Sequence, residues 1–263
     1  MAGSTLHASL GHRCGIAVMA KASIPGRTKT RLVPPLTVAE AAQFNTAFLK
    51  DVSANLLMAS RDADVHGYMA YGPPGSQQFF SDTLPPGISL IESWYPNFGD
   101  CLFQTIGAML TAGHESAVVL NSDSPTLPTS LLIETAEMLA RPGDRAVLGP
   151  STDGGYYLLG LKRAHRQLFE DIDWSTERVA RQTLERARAI GLAMHRLPAW
   201  YDVDDADALR QLHAELFEGR SLNDPLVPSR ARHTTVLMGD LLATAELGTR
   251  LSLTQNAFEA IAS

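Results

Sequence analysis

Apolar runs of strand length alternate along this chain with stretches whose apolar positions recur every three or four residues. The first run, residues 15–20, is apolar throughout and predicts a buried strand. Thr37, with Glu40 three positions on, is a capping-box pattern, and a helix is expected from there to about Ser60. Residues 65–71 read as a second strand, ended by Gly72-Pro73-Pro74-Gly75. A short helix over 77–81 and a third strand over 88–92 follow. Leu102, Phe103, Ile106, Met109 and Leu110 then fall at helical spacing within 99–112. Residues 117–120 are apolar without alternation, as in a parallel strand covered on both faces. A helix over 129–139, strands at 146–149 and 156–161, helices at 164–169 and 176–190, a strand at 192–197 and a helix to about Glu218 complete the series.

This order predicts an α/β fold with a mainly parallel central sheet and helices on both faces. Residues 15–220 are expected to form one domain, 1–14 a flexible N-terminal extension, and 221–263 a Pro-containing linker and C-terminal helical tail. The tail either packs on the domain or supplies a subunit contact, such as a homodimer would use.

Composition narrows the function classes. A length of 263 residues is ample for a real core, and 45% hydrophobic with 19% charged residues describes a water-soluble chain. A net charge of −6 and a pI near 5.7 argue against a general nucleic-acid binder. Cys14 and Cys101 lie far apart without metal spacing and are read as reduced thiols, hence a cytoplasmic protein. No apolar run approaches membrane-spanning length.

Against that acidic background, residues 1–39 contain no Asp or Glu, and Lys21, Arg27, Lys29 and Arg31 follow the first strand around Pro25-Gly26. Cations beside small residues at a strand-to-loop junction suit a phosphate group, with Lys29 expected as an exposed loop cation; a basic surface loop is the plainer alternative. A Walker A loop is absent, so side-chain cations and a metal, rather than a backbone nest, would hold the phosphates. Asp123, after Ser122 and directly behind an apolar strand, is placed to point into a crevice at the strand ends. It either ligates Mg2+ or Mn2+ or caps the turn before Pro125.

Asp202 and Asp204 alternate in extended chain and face the same side. Asp204 is the choice for a second metal ligand, and first-turn helix charge is the alternative. Asp153-Gly154-Gly155 either contacts a sugar or acceptor or forms a hairpin turn. Trp174 flanks the same presumed crevice, to stack on a ligand or to fill core. Scattered histidines exclude a zinc motif, and no nucleophilic triad is visible.

Ala20-Lys21-Ala22 through Arg27-Thr28-Lys29-Thr30-Arg31-Leu32, Ser122-Asp123-Ser124-Pro125, Gly149-Pro150-Ser151-Thr152-Asp153-Gly154-Gly155-Tyr156, Trp174-Ser175-Thr176 and Asp202-Val203-Asp204 occur in this order. The set resembles the DUF2064 family, also labelled rSAM/selenodomain-associated or arsenosugar-biosynthesis glycosyltransferases, over roughly residues 15–215. The first block is also similar to a segment of 2-phospholactate guanylyltransferases. The resemblance implies a GT-A, nucleotide-diphospho-sugar transferase-like fold. It implies phosphate binding by Lys21, Arg27, Lys29 and Arg31, and metal binding by Asp123. It also places Asp153 and Gly154 on the acceptor or sugar side.

Three functions follow. The first is a glycosyltransferase taking a nucleotide sugar and a small-molecule acceptor. The second is a nucleotidyltransferase consuming a nucleoside triphosphate. The third is a nucleotide-binding partner without chemistry.

Overall fold

A computed structural model of the chain describes residues 13–220, 225–244 and 246–252. The strands are β1 (Cys14–Lys21), β2 (Val65–Gly72), β3 (Ser89–Glu92), β4 (Ser116–Leu120), β5 (Arg145–Pro150), β6 (Tyr156–Leu161) and β7 (Ala193–Arg196). They form one seven-stranded sheet in the order β3-β2-β1-β4-β6-β5-β7. Only β6 runs against its neighbours β4 and β5; every other pairing is parallel. The helices are α1 (Val38–Asp62), α2 (Gln77–Thr83), α3 (Phe98–Thr111), α4 (Thr129–Ala140), α5 (Val179–Ala189), α6 (Ala206–Glu218), α7 (Arg232–Ala243) and α8 (Glu246–Arg250).

Alternation along the strands explains the two cores. Ile16 and Val18 face one cluster with Phe44, Phe48, Leu56, Leu131, Leu132 and Leu212, while Ala17 between them faces Leu102, Ile106, Met109 and Ala187 on the other side. A strand covered on both faces has no polar face to show, which is why β1 and β4 read as continuous apolar runs. Thr37 closes α1 with both halves of the capping box: its hydroxyl accepts from the Glu40 amide, and the Glu40 carboxylate accepts from the Thr37 amide.

Three sequence expectations need correction. Cys14 belongs to β1, paired with Val65 and Ser116, so it is not part of a flexible extension; residues 1–12 of that extension lie outside the described residues. The helix expected over 164–169 is a short 3-10 turn, Arg166–Phe169. The helix expected from 176 starts at Val179, because the Thr176 hydroxyl donates to the Asp173 carbonyl and accepts from the Arg178 amide. A local side-chain bond of this kind competes with helix formation.

The described part of the tail packs on the domain. Asp51 of α1 is buried, and its carboxylate accepts from the amides of His233 and Thr234, both at 2.8 Å, and from the Thr234 hydroxyl at 2.6 Å. The free amides that begin α7 thus find an anion on another helix. Arg250 of α8 reaches Glu40 through two bonds of 2.7 Å and the Pro35 carbonyl at 2.6 Å. Those bonds hold the Glu40 carboxyl down at about 2.

Candidate functional site

The carboxyl ends of β1, β4 and β5 open on one edge, and the segments leaving them are bonded to one another. Val203 donates its amide to the Asp123 carbonyl at 2.8 Å, and the Ser124 hydroxyl donates to the Tyr201 carbonyl at 2.8 Å. Ser151 pairs with Trp200 in a parallel bridge. The turn after β4 and the segment 200–204 are therefore one rigid unit, although about 80 positions separate them in the chain.

That unit brings Asp123 and Asp204 together, and between them sits Lys29. Its Nζ lies 2.8 Å from Asp123 Oδ1, 2.9 Å from Asp204 Oδ1 and 2.8 Å from the Val203 carbonyl oxygen. Three acceptors match the three protons of an ammonium. The Lys29 side chain is 6% exposed and passes over the Phe48 ring, so it is not the exposed loop cation expected from sequence. Burial works against its charge, but the charges and hydrogen bonds of Asp123 and Asp204 outweigh burial and hold its pKa above the ordinary lysine value.

Loop construction explains how Lys29 gets there. Ile24 and Thr28 close a turn on each other: the Ile24 amide donates to the Thr28 hydroxyl, which donates to the Ile24 carbonyl, both at 2.9 Å. Asn45 and Thr46 of α1 each donate to the Ser23 hydroxyl at 2.8 Å and tie the loop to the helix. Lys29 itself takes a left-handed backbone, φ 53° and ψ 37°, unusual for a residue with a side chain. Lys21, Arg27 and Arg31 are exposed, and among the described residues their side chains carry no ion pair.

The hairpin reading of 151–155 holds in backbone terms, since β5 and β6 are antiparallel neighbours. Asp153 Oδ1 accepts from the Gly155 amide at 2.8 Å, an Asx-type closure. Gly154 has φ +92°, and a Cβ there would come 2.3 Å from the Glu177 carbonyl oxygen, so the glycine permits both the turn and the close approach of the 170s segment. Trp174, partly buried, packs edge-on against Phe98 with ring centroids 5.4 Å apart and covers Gly99. The Ser122 hydroxyl, almost buried, donates to Asp123 Oδ1 at 2.8 Å.

Asp202 is the residue the sequence reading passed over in favour of Asp204. It accepts from the Ser151 hydroxyl at 2.7 Å. Burial, with added repulsion from Asp153 and Asp204 and against the Ser151 bond, raises its carboxyl to about 6. The signal was present in the Asp-Val-Asp alternation, which puts both carboxylates on one side.

A divalent ion in this crevice needs hard oxygen ligands, and Asp123 and Asp204 supply that type on the right edge. They fit Mg2+ or Mn2+ in chemistry and placement, as one or two carboxylates completed by substrate phosphate. Their facing oxygens are at present satisfied by Lys29. Among the described residues no group of three or more His, Cys, Asp or Glu could hold a metal.

Residues 56–176 match the family model described as an uncharacterized protein conserved in bacteria, DUF2064. Over that segment, somewhat under half of the chain, the sequence is similar to the DUF2064 family. The match covers the elements from the end of α1 to the 170s segment, including Asp123 and the 151–155 hairpin.

Among solved structures, a protein from Desulfovibrio desulfuricans G20, provisionally assigned as a nucleotide-diphospho-sugar transferase, is 24% identical. It covers 91% of this chain and 98% of its own, with a TM-score of 0.74. CMP:2-keto-3-deoxy-manno-octonic acid synthetase complexed with CTP is 15% identical over 79% of this chain and 100% of its own, with a TM-score of 0.51. 4-Diphosphocytidyl-2C-methyl-D-erythritol synthase from Anaerococcus prevotii DSM 20548 is 10% identical over 78% and 99%, with a TM-score of 0.50. At these identities the likeness is one of fold alone. No curated protein matches the sequence. No described helix is long and apolar enough to cross a membrane.

Proposed function

We propose that the protein is a transferase acting on a nucleotide-activated donor, with a nucleotide sugar as donor and a small molecule as acceptor. The observation that carries this reading is the meeting of Asp123 and Asp204 at one sheet edge, beside a loop whose Lys21, Arg27 and Arg31 side chains have no ion pair among the described residues. An anionic ligand would find in that loop cations not already committed to the protein.

The chain's own residues divide the work. Lys21, Arg27 and Arg31 draw in the donor's phosphates and oppose the charge that builds on the leaving diphosphate. Lys29, paired with Asp123 and Asp204, is the fourth cation of the same loop. Asp123 and Asp204 would hold Mg2+ or Mn2+, whose chemistry when bound is to offset negative charge on the phosphate oxygens. Ser122 orients Asp123 through its 2.8 Å hydrogen bond. On the hairpin side Asp153 stands as the carboxylate nearest the acceptor, next to Gly154 and Gly155, whose backbone lets a sugar approach closely. Trp174 closes that side as an apolar wall.

A nucleotidyl transfer from a nucleoside triphosphate is the second reading. The four cations of the loop favour it, since a triphosphate carries more charge than a diphosphate ester. Product analysis separates the two. Release of a nucleoside diphosphate from a sugar nucleotide supports glycosyl transfer, and pyrophosphate release from a triphosphate supports nucleotidyl transfer. Nucleotide binding without turnover for any acceptor would overturn both and leave a binding partner.

A further inference from the structure

Lys29 and a divalent cation have the same claim on Asp123 and Asp204. The ammonium lies 2.8 and 2.9 Å from one oxygen of each, and the Val203 carbonyl at 2.8 Å takes its third proton. A magnesium or manganese ion bound between those oxygens would stand at roughly 2 Å from them. Two cations at that separation inside one carboxylate pair repel strongly, so they cannot share it.

We propose that Lys29 is the resident counter-ion of the Asp123–Asp204 pair and a latch for the 22–32 loop, and that a divalent cation enters the pair only by displacing it. The proposal rests on the metal role assigned to those two aspartates above.

Three features make this an exchange rather than a fixed ion pair. Lys29 is held in a left-handed backbone at φ 53°, a conformation that a side chain makes costly and that surrounding contacts must enforce. Its neighbours Arg27 and Arg31 are exposed, so the Lys29 side chain has open space beside it to swing into while Thr28 and Leu32 stay packed. The carboxylates it would leave are partly open, at 28% and 40% side-chain exposure, which gives an incoming hydrated ion a route. Once released, the Lys29 ammonium joins Lys21, Arg27 and Arg31 on the phosphate side. The Lys29 side chain would then change from a carboxylate-paired to a phosphate-facing arrangement when metal arrives.

Manganese alone, with no nucleotide, is the probe. Calorimetric titration of the full chain should show weak binding, and the Lys29→Met variant should bind Mn2+ about tenfold tighter or more, because a competing unit charge has gone. The gain should vanish in the double variant Lys29→Met/Asp123→Asn. A second measurement on the unmodified protein guards against a misfolded variant. Acylation of Lys29 by an amine-reactive ester, followed by mass spectrometry, should be slow in the free protein and accelerate with millimolar Mn2+, while Lys50 and Lys162 label at constant rate. Equal Mn2+ affinity with and without Lys29, a gain that persists without Asp123, or Lys29 labelling indifferent to Mn2+ would each overturn the exchange. None of these readouts involves nucleotide or turnover, so the transfer assay judges the transferase reading separately.

Discussion

With its ammonium held by Asp123, Asp204 and the Val203 carbonyl, Lys29 contributes to stability as a buried partner. Lys29→Ala leaves two carboxylates facing each other without a counter-charge. Breaking a fully buried pair typically costs about 3–5 kcal/mol; here both carboxylates are partly solvated, and roughly 1–3 kcal/mol is expected, read as a lowered urea midpoint. An unchanged midpoint would mean that the ion pairs carry no net stability. Asp202 gives a pH signature of defined sign. Its folded carboxyl titrates at about 6, above the ordinary aspartate value near 4, so the folded state binds the extra proton in that window. Stability from this group therefore falls as pH rises from about 4 to 6, and at most about 3 kcal/mol is involved. Asp202→Asn should raise the melting temperature at pH 8 relative to the parent and leave it nearly equal at pH 4; a constant difference across pH would sink the assignment. That Lys29 belongs to a run of cations behind β1 was legible from its loop. That it is buried was not, because its partners lie 94 and 175 positions on, and only the sheet brings them together.

Elements were the most legible level, because their signals are local. The capping box at Thr37, the apolar β4 and the β5–β6 hairpin each announce themselves within a few residues. The late start of α5 was hidden, since it depends on which carbonyl the Thr176 hydroxyl chooses. The hairpin yields a prediction at this scale. Gly154→Ala would need φ near +92° and would drive a methyl to 2.3 Å from the Glu177 carbonyl oxygen. A loss of roughly 2 kcal/mol or more is expected, with the 170s segment displaced from the hairpin. Faster tryptic cleavage at Arg178 would report that displacement directly, and a variant as stable and as resistant as the parent would remove the steric role. The Glu40–Arg250 link has the opposite pH sign to Asp202. Its carboxyl is held at about 2, so the stability it contributes is present above the ordinary glutamate value and is lost as pH falls below about 4.

At the scale of the whole molecule, the chain's apparent division near residue 220 does not coincide with a division of the core. The linker composition of 223–232 suggests a boundary, yet Met238, Leu242, Leu247 and Leu251 are all 2% exposed or less and belong to the cluster that contains Phe44, Phe48 and Leu56. Asp51 then anchors α7 by its first amides, and Arg250 ties α8 to Glu40 and Pro35, at the base of the loop that carries Lys29. The tail thus reaches the candidate site by way of the loop's own foundation. Four buried apolar side chains at about 1.5–3 kcal/mol each are comparable to the whole stability of a typical domain, even after allowance for residual burial in the unfolded chain. A chain ending at Arg220 is therefore expected to lack a cooperative urea transition or to aggregate. Asp51→Ala, a milder cut at the same joint, should lower the midpoint by about 2 kcal/mol through loss of the α7 anchor and its buried hydrogen bonds. If the truncated chain unfolds at the parent's midpoint, the tail is an appendage and α1 is covered without it. If Asp51→Ala is silent while truncation is severe, apolar packing alone docks the tail. The joint expectation, a graded loss from anchor to whole tail, also predicts that Lys29 becomes more reactive toward acylation in Arg250→Ala, because the loop it latches has lost its footing at Pro35.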